Sequence, residues 1–573
     1  AFGCDLFSVG QGDCRQDSVV TFNPLKDPRT TPFRTGARTQ VGGNVSGGTE
    51  RVGFFLSGET DREAGVYRTN ANNRDNLRAN LRAFLTDELD VNVSTGVIGN
   101  QIQLPGNDNT FLGYISNGLA GFPRIDDPGA VNGDGYDPLG PASIDFYQND
   151  QQVRRFVGSA QANWRPLSWL RVTGVAGADQ INRLDTQFLP PGRIDLDQET
   201  VEGYRTANRL QFATYTAQGT ATATFNLRPR LTSTTTASFQ YQQDVADGVF
   251  GTGFRVVGGT ASLGGTVSRY DIDETFVDNR LFGGILQQQF GYADRLFVTL
   301  GVRGDQNSAF GQNTGTVYYP TAQLSWVASE ESWFPRLGTD QIRFRASYGQ
   351  VGLRPGNVDA LTFFNPVAAR VRGADVAAVT IAGVGDPDLR PEITTEFEGG
   401  VDVEMFNRRA TFQLTGYTKT SRDALIPRIL APSIGVVRQR LENVGSIRNQ
   451  GIEALLTTRL LERRNLGFEV TINGSYNTNE IVSLADTTPI LVTANGSQRH
   501  VEGYPTGAYW GRRILSSSLG ANGIVDYNSI QYSDTAEFLG YSQPRGFLSV
   551  TPTLSLFRVA RISALFDYRG GFR

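Results

Sequence analysis

From Thr214 to Leu227 the chain changes chemical character at every residue. Thr214, Thr216, Gln218, Thr220, Thr222, Thr224 and Asn226 alternate with Tyr215, Ala217, Gly219, Ala221, Ala223, Phe225 and Leu227. After Pro229 the pattern resumes, with Thr232, Thr234, Thr236, Ser238, Gln240 and Gln242 at every second position. A period of two places each set on its own face of a β-strand. The apolar face is small in the middle and aromatic toward the ends. An aliphatic band between aromatic girdles has that profile in a bilayer, whereas a soluble core fills its mid-strand positions with larger side chains.

The same alternation marks a central stretch. Leu296, Val298, Leu300 and Val302 alternate with Phe297, Thr299, Gly301 and Arg303, and Ile342, Phe344, Ala346 and Tyr348 with Arg343, Arg345, Ser347 and Gly349. Further on, Glu396, Glu398, Asp402 and Glu404 share one strand face and Phe397, Val401, Val403 and Met405 the other. Four carboxylates on one face cannot enter a dry core without partners. A wet lumen accommodates them, as would a solvent-facing sheet edge.

The chain has 573 residues, 66 of them glycine, with 10% aromatic and 39% apolar content. Its mean hydropathy of −0.28 looks soluble, but a large barrel averages out the same way because half of each strand faces water. No run approaches the length of a transmembrane helix. Lys+Arg of 53 against Asp+Glu of 57 gives no basic surplus for a nucleic-acid partner. His500 is the only histidine. It has no Gly-x-Ser-x-Gly elbow nearby, so triad hydrolysis is not expected. With no Walker or dinucleotide loop either, the expectation is a protein that is not an enzyme and uses no cofactor. Cys4 and Cys14 are the only cysteines. A short-loop disulfide in an oxidising compartment is expected of them, and two free thiols is the alternative. No Cys or His grouping supports a metal site.

Residues 103–149 are rich in Gly, Pro, Asn and Asp, a long connection of the kind that carries function. Phe111, Tyr114, Phe122 and Tyr136 are its aromatic candidates for ligand contact, joined by Trp510 further on. Asn132, Asp134 and Asp137 have a calcium-loop spacing but lack the closing glutamate, so a solvated turn is the expectation there. Another long loop is expected over 353–388.

The wording of several segments resembles the TonB-dependent outer-membrane transporters, SusC/RagA type. Tyr292, Asp294, Arg295 and Leu296, then Arg303 and Asp305, then Ser308, Phe310 and Gly311 fill one family run. Pro320, Trp326, Glu330, Glu331 and Ala346 to Gly349 continue it. Leu389, Pro391, Glu392, Glu398, Gly400 and Asp402 match a second segment. Asn443, Gly445, Asn449, Gly451 and Glu453 match a third, and Gly503, Pro505, Gly507 and Gly511 a fourth. The resemblance covers nearly all of the chain after about residue 37.

It implies an all-β, antiparallel transmembrane β-barrel of meander topology in the outer membrane of a Gram-negative bacterium. Roughly 18 strands are legible, against about 22 in plugged transporter barrels. Residues 1–36 are expected to be an irregular plug-to-barrel junction and 37–573 the barrel, as a fragment lacking the plug and the last strands. The implied function is uptake of a glycan, oligosaccharide or peptide, powered through TonB, with a SusD-like lipoprotein lid as partner and outer-membrane lipid around the barrel. The rival reading is a soluble or surface-anchored β-rich binding protein or adhesin.

Overall fold

The structure, a computed structural model, describes residues 12, 15, 23–121, 135–335, 338–431, 433, 439–484, 489–493, 496–520, 523–557 and 559–573. Cys4, Cys14, Phe122, Asn132 and Asp134 lie outside that set. The first nine strands are β1 Ala37–Gly48, β2 Val52–Ala64, β3 Ala71–Phe84, β4 Leu89–Gln103, β5 Gln148–Leu167, β6 Leu170–Leu189, β7 Tyr204–Arg228, β8 Leu231–Val256 and β9 Thr266–Tyr292. They continue with β10 Leu296–Asn307, β11 Val317–Val327, β12 Thr339–Leu353, β13 Phe363–Val371, β14 Ala374–Gly383, β15 Glu392–Met405, β16 Ala410–Ile429, β17 Gln439–Arg463 and β18 Leu466–Ser483. Small strands follow, and Gly546–Leu556 then pairs with β18. Among the described residues the longest helix is Tyr114–Ala120, two turns.

Two compact units are present. One comprises Ala1–Trp164, Gly174–Ala217 and Gln242–Asp278, and the other Arg165–Thr173, Gln218–Tyr241 and Asn279–Arg573. In the first, β1 to β5 pair antiparallel in sequence order. In the second, β10 pairs with the end of β9 and with β11, β11 with β12, β12 with β15, and β15 through β18 pair in turn.

Connection length alternates along the chain. The connections at 49–51, 85–88, 168–169, 229–230, 293–295, 406–409 and 464–465 are short. Those at 104–147, 190–203, 354–391 and 484–545 are long. β5 and β6 are joined by a two-residue turn at Ser168 and Trp169. Strands of up to 27 residues exceed the 9–11 or so that cross the hydrocarbon, so they continue beyond it.

The registers bear out the two faces. Thr220 pairs with Ser238 across a 3.0 Å hydrogen bond, Thr222 with Thr236 at 3.4 Å, and Thr224 with Thr234 at 3.4 Å. On the other face, Phe225 stacks on Trp169 with centroids 5.0 Å apart. The Phe239 ring covers Gly219 so closely that a Cβ there would meet it at 2.3 Å. Large apolar side chains stand uncovered along this face: Leu77 is 65% exposed, Val97 52%, Leu300 53% and Phe397 57%. A water-soluble surface does not sustain such rows. No helix among the described residues is long and apolar enough to cross a membrane.

The connection over 353–388 is not the plain loop expected. It contains the β13–β14 hairpin, closed by Arg372 and Gly373 at φ of 52° and 84°. Two positive φ values in a two-residue turn match the twist of the flanking strands.

Candidate functional site

The polar face of the second unit carries a wall of compensated charge. Asp402 stands opposite Arg343 in the β12–β15 register, and its Oδ2 accepts from Arg343 Nε at 2.9 Å. Arg345 is opposite Gly400. A Cβ on that glycine would lie 2.8 Å from Arg345 Cζ. With no side chain there, the guanidinium crosses the strand and donates to Glu398 and to Thr415 on β16. Its Nε reaches Asp402 Oδ1 at 3.3 Å. Gln289, Thr299, Gln323, Ser325 and Ser347 join Arg343, Arg345 and Glu398 around a cavity of about 400 Å³. These groups offer paired charge and many hydrogen-bonding atoms. No group of carboxylates, cysteines or histidine that could hold a metal occurs among the described residues.

The first unit holds a hydrophobic core that lies in its long connections. Leu112, Tyr114, Leu139, Ile144, Tyr147, Leu189 and Ile194 are buried together, with Tyr67 and Tyr204 packed against them. Tyr114 stacks on Tyr67 at 4.9 Å, and its hydroxyl donates to Asp145 Oδ1 at 2.6 Å. Burial, reinforced by the Asp145 carboxylate, pushes the Tyr114 hydroxyl well above the usual phenol range. Asn117 ties two segments of loop together. Its Nδ2 donates to Phe111 O at 2.8 Å and to Gly113 O at 2.6 Å, and its Oδ1 accepts from Leu139 N at 3.3 Å.

The expected ligand aromatics therefore separate. Tyr114 is 1% exposed and Tyr136 4%, so both hold the loops together. Tyr136 donates to Thr30 O at 3.0 Å, which draws residues 23–36 into this loop layer. Phe111 stays open at 38%. Trp510, in the long connection after β18, packs edge-on against Tyr504 at 4.9 Å and near Phe538 at 6.0 Å. Its indole Nε1 is enclosed and has no acceptor among the described residues. The sequence pointed to Trp510 but not to its neighbours Tyr504, in the segment before it, and Phe538, in the short strand Glu537–Gly540.

His500 sits in the same connection. Its Nδ1 accepts from Gly507 N at 3.1 Å, which requires the neutral ring. Burial holds its pKa below the ordinary histidine value. The neutral form is thus favoured in the fold. Its contribution is intact above about pH 6.5, the unfolded value, and is lost as the pH falls through the folded pKa. Hydrogen exchange of residues 501–511, corrected for intrinsic rates, should show protection decreasing below about pH 6.5. In His500→Asn, which keeps an acceptor, protection should be flat with pH.

The model of the family described as TonB dependent receptor-like, beta-barrel, matches residues 104–551. The chain belongs to that family of outer-membrane β-barrel receptors. It is 24% identical over 464 residues to TonB-dependent receptor P39 of Formosa agariphila, covering 79% of this chain and 43% of that one. It is 22% identical over 277 residues to TonB-dependent receptor SusC of Bacteroides thetaiotaomicron, covering 45% and 28%. The structure of the RagAB peptide transporter superposes with a TM-score of 0.79 at 19% identity, over 94% of this chain and 62% of that chain. The fold is therefore an antiparallel transmembrane β-barrel of this type. The chain spans half or less of the length of the curated relatives it matches.

Proposed function

We propose that this barrel belongs to an importer that carries a glycan, oligosaccharide or peptide across the outer membrane. It is powered by TonB acting on a plug and works with a SusD-like lipoprotein lid. The observation that carries the reading is the pairing of two features on one family-matched chain: a wet strand face lined by compensated charge, and long connections folded around their own core. The first accommodates a polar solute or a plug surface, and the second holds a capture surface rigid. Such an assembly needs no bond-making chemistry, and the reading includes no catalytic residue. Ligand contact falls to Phe111 and Trp510, whose rings are accessible or only half covered. A peptide is the more specific substrate option, because the superposing RagAB protein is a peptide transporter.

Uptake by cells of the full-length parent, with and without an active TonB, tests this. Labelled oligosaccharide or peptide should accumulate only when TonB is active, and Phe111→Ala with Trp510→Ala should weaken capture about tenfold or more. Equal uptake without TonB would contradict the energetic part of the proposal.

A further inference from the structure

β3 divides its two faces sharply. Leu77, Ala79 and Leu81 lie on the lipid face, where the two leucines are uncovered. Asn72, Arg74, Asn76, Arg78, Asn80 and Arg82 alternate with them on the wet face. Arg74, Arg78 and Arg82 are exposed, and among the described residues none of the three pairs with a carboxylate. The registers explain why. Arg78 stands between Ser57 of β2 and Gly96 of β4, and Arg82 between Gly53 and Asn92. Arg74 is opposite Asp61, but that carboxylate is already held by Arg38, whose Nη2 donates to Oδ2 at 2.6 Å. Glu59 and Glu63 share the wet face of β2. They stand opposite Asn76 and Asn72, and neither makes an ion pair. On the β12–β15 wall, by contrast, Arg343 and Arg345 each meet an acid.

Four strand residues separate successive arginines, about 13 Å. That exceeds the screening length of about 8 Å in physiological salt, so the three charges stand side by side at little mutual cost. A guanidinium is always charged and presents a rigid fork of donors that matches a carboxylate or a sulfate. Asn76 and Asn80 lie between the arginines, and their amides both donate and accept. The ladder thus offers cationic forks at a regular interval, with neutral hydrogen-bonding groups between them. Its chemical complement is an elongated molecule with acid groups along its length and neutral polar groups between.

We propose that Arg74, Arg78 and Arg82 form a binding track for an elongated polyanionic solute, whose carboxylate or sulfate groups the guanidinium groups take one after another. The inference rests on the importer reading above and names the substrate class: the acidic members of the oligosaccharides and peptides, which share this chemistry.

The test is calorimetric titration of the full-length parent in detergent with two pairs of probes. One pair is hexaglutamate against hexaglutamine, and the other a galacturonate tetramer against a galactose tetramer. The parent should bind the acidic member of at least one pair about a hundredfold more tightly than the neutral member, and the pair that shows the preference identifies the source of the acid groups. Arg78→Gln should weaken acidic-probe binding about tenfold, and Arg78→Lys should restore part of it. The triple variant Arg74→Gln, Arg78→Gln, Arg82→Gln should bind the acidic and neutral probes alike. Arg62→Gln removes the same charge from the opposite face of β2 and should bind as the parent does. No acidic preference in the parent, or a preference that survives the triple variant, would overturn the proposal. So would loss of heat-modifiable gel mobility in the triple variant together with parent-like binding by Arg78→Gln, which would make the ladder part of the folded framework. The titration needs no TonB, so a negative result here leaves the uptake test of the importer reading standing, and a negative uptake result leaves the measured anion binding intact.

Discussion

Ala221→Arg and Val470→Arg are expected to block assembly of the full-length parent, whereas Thr222→Arg and Thr471→Arg should assemble. Ala221 lies on the face of β7 that carries Gly219 and Phe225. Val470 stands between Thr458 of β17 and Pro552 in the register of β18. A guanidinium at a lipid-facing midplane position costs roughly 2–4 kcal/mol, which each of the first two variants incurs. Thr222 and Thr471 are on the opposite face, each within 3.4 Å of a partner threonine hydroxyl, Thr236 and Thr457. An arginine there meets water. Heat-modifiable gel mobility measures the outcome, and uniform behaviour of all four variants would contradict the assignment of faces.

Tyr114→Ala should melt the loop layer of the first unit and leave its strands intact. The substitution removes a fully buried ring from between Tyr67 and the Leu112, Ile144 and Leu189 side chains. Large-to-small changes at such sites cost about 3–5 kcal/mol. It also leaves the Asp145 carboxylate without its hydroxyl donor. Limited proteolysis should then cleave within 104–121 and 190–203, while gel mobility reports an unchanged barrel. Tyr114→Phe keeps the ring and loses only the hydrogen bonds, so cleavage should rise far less. Equal cleavage in the two variants would mean that the ring's packing contributes little.

Strands and faces were legible because the period-two signal is local. The threonine ladder of β7 and β8 could be read from one segment, and its partners are the residues that the sequence spacing aligns. The same holds for the strand faces that carry Arg343, Arg345, Glu398 and Asp402, of which Arg343 and Asp402 are direct register partners. The route of Arg345 over Gly400 to Thr415 was not legible, since it needs three strands placed side by side.

The β13–β14 hairpin escaped reading for a related reason. Valine, alanine and phenylalanine occupy both of its faces, so no alternation distinguishes strand from loop. Only the Arg372–Gly373 turn marks it. The loop core was invisible because its members come from four distant segments: Tyr67, residues 112–147, Leu189 with Ile194, and Tyr204. Aromatic content alone made Tyr114 and Tyr136 ligand candidates. Burial, which sequence does not report, gives them a packing part.

The most direct test of the account is the solvent exposure of successive positions along β7 in the full-length parent, reconstituted in a bilayer. Single spin labels at 218 through 225 are scanned for collision with oxygen, which concentrates in hydrocarbon, and with a water-soluble nickel chelate. The account predicts a strict period of two, with oxygen favoured at 219, 221, 223 and 225 and nickel at 218, 220, 222 and 224. Nickel access at both sets, or no alternation at all, would contradict a membrane-spanning strand with lipid on one face and water on the other.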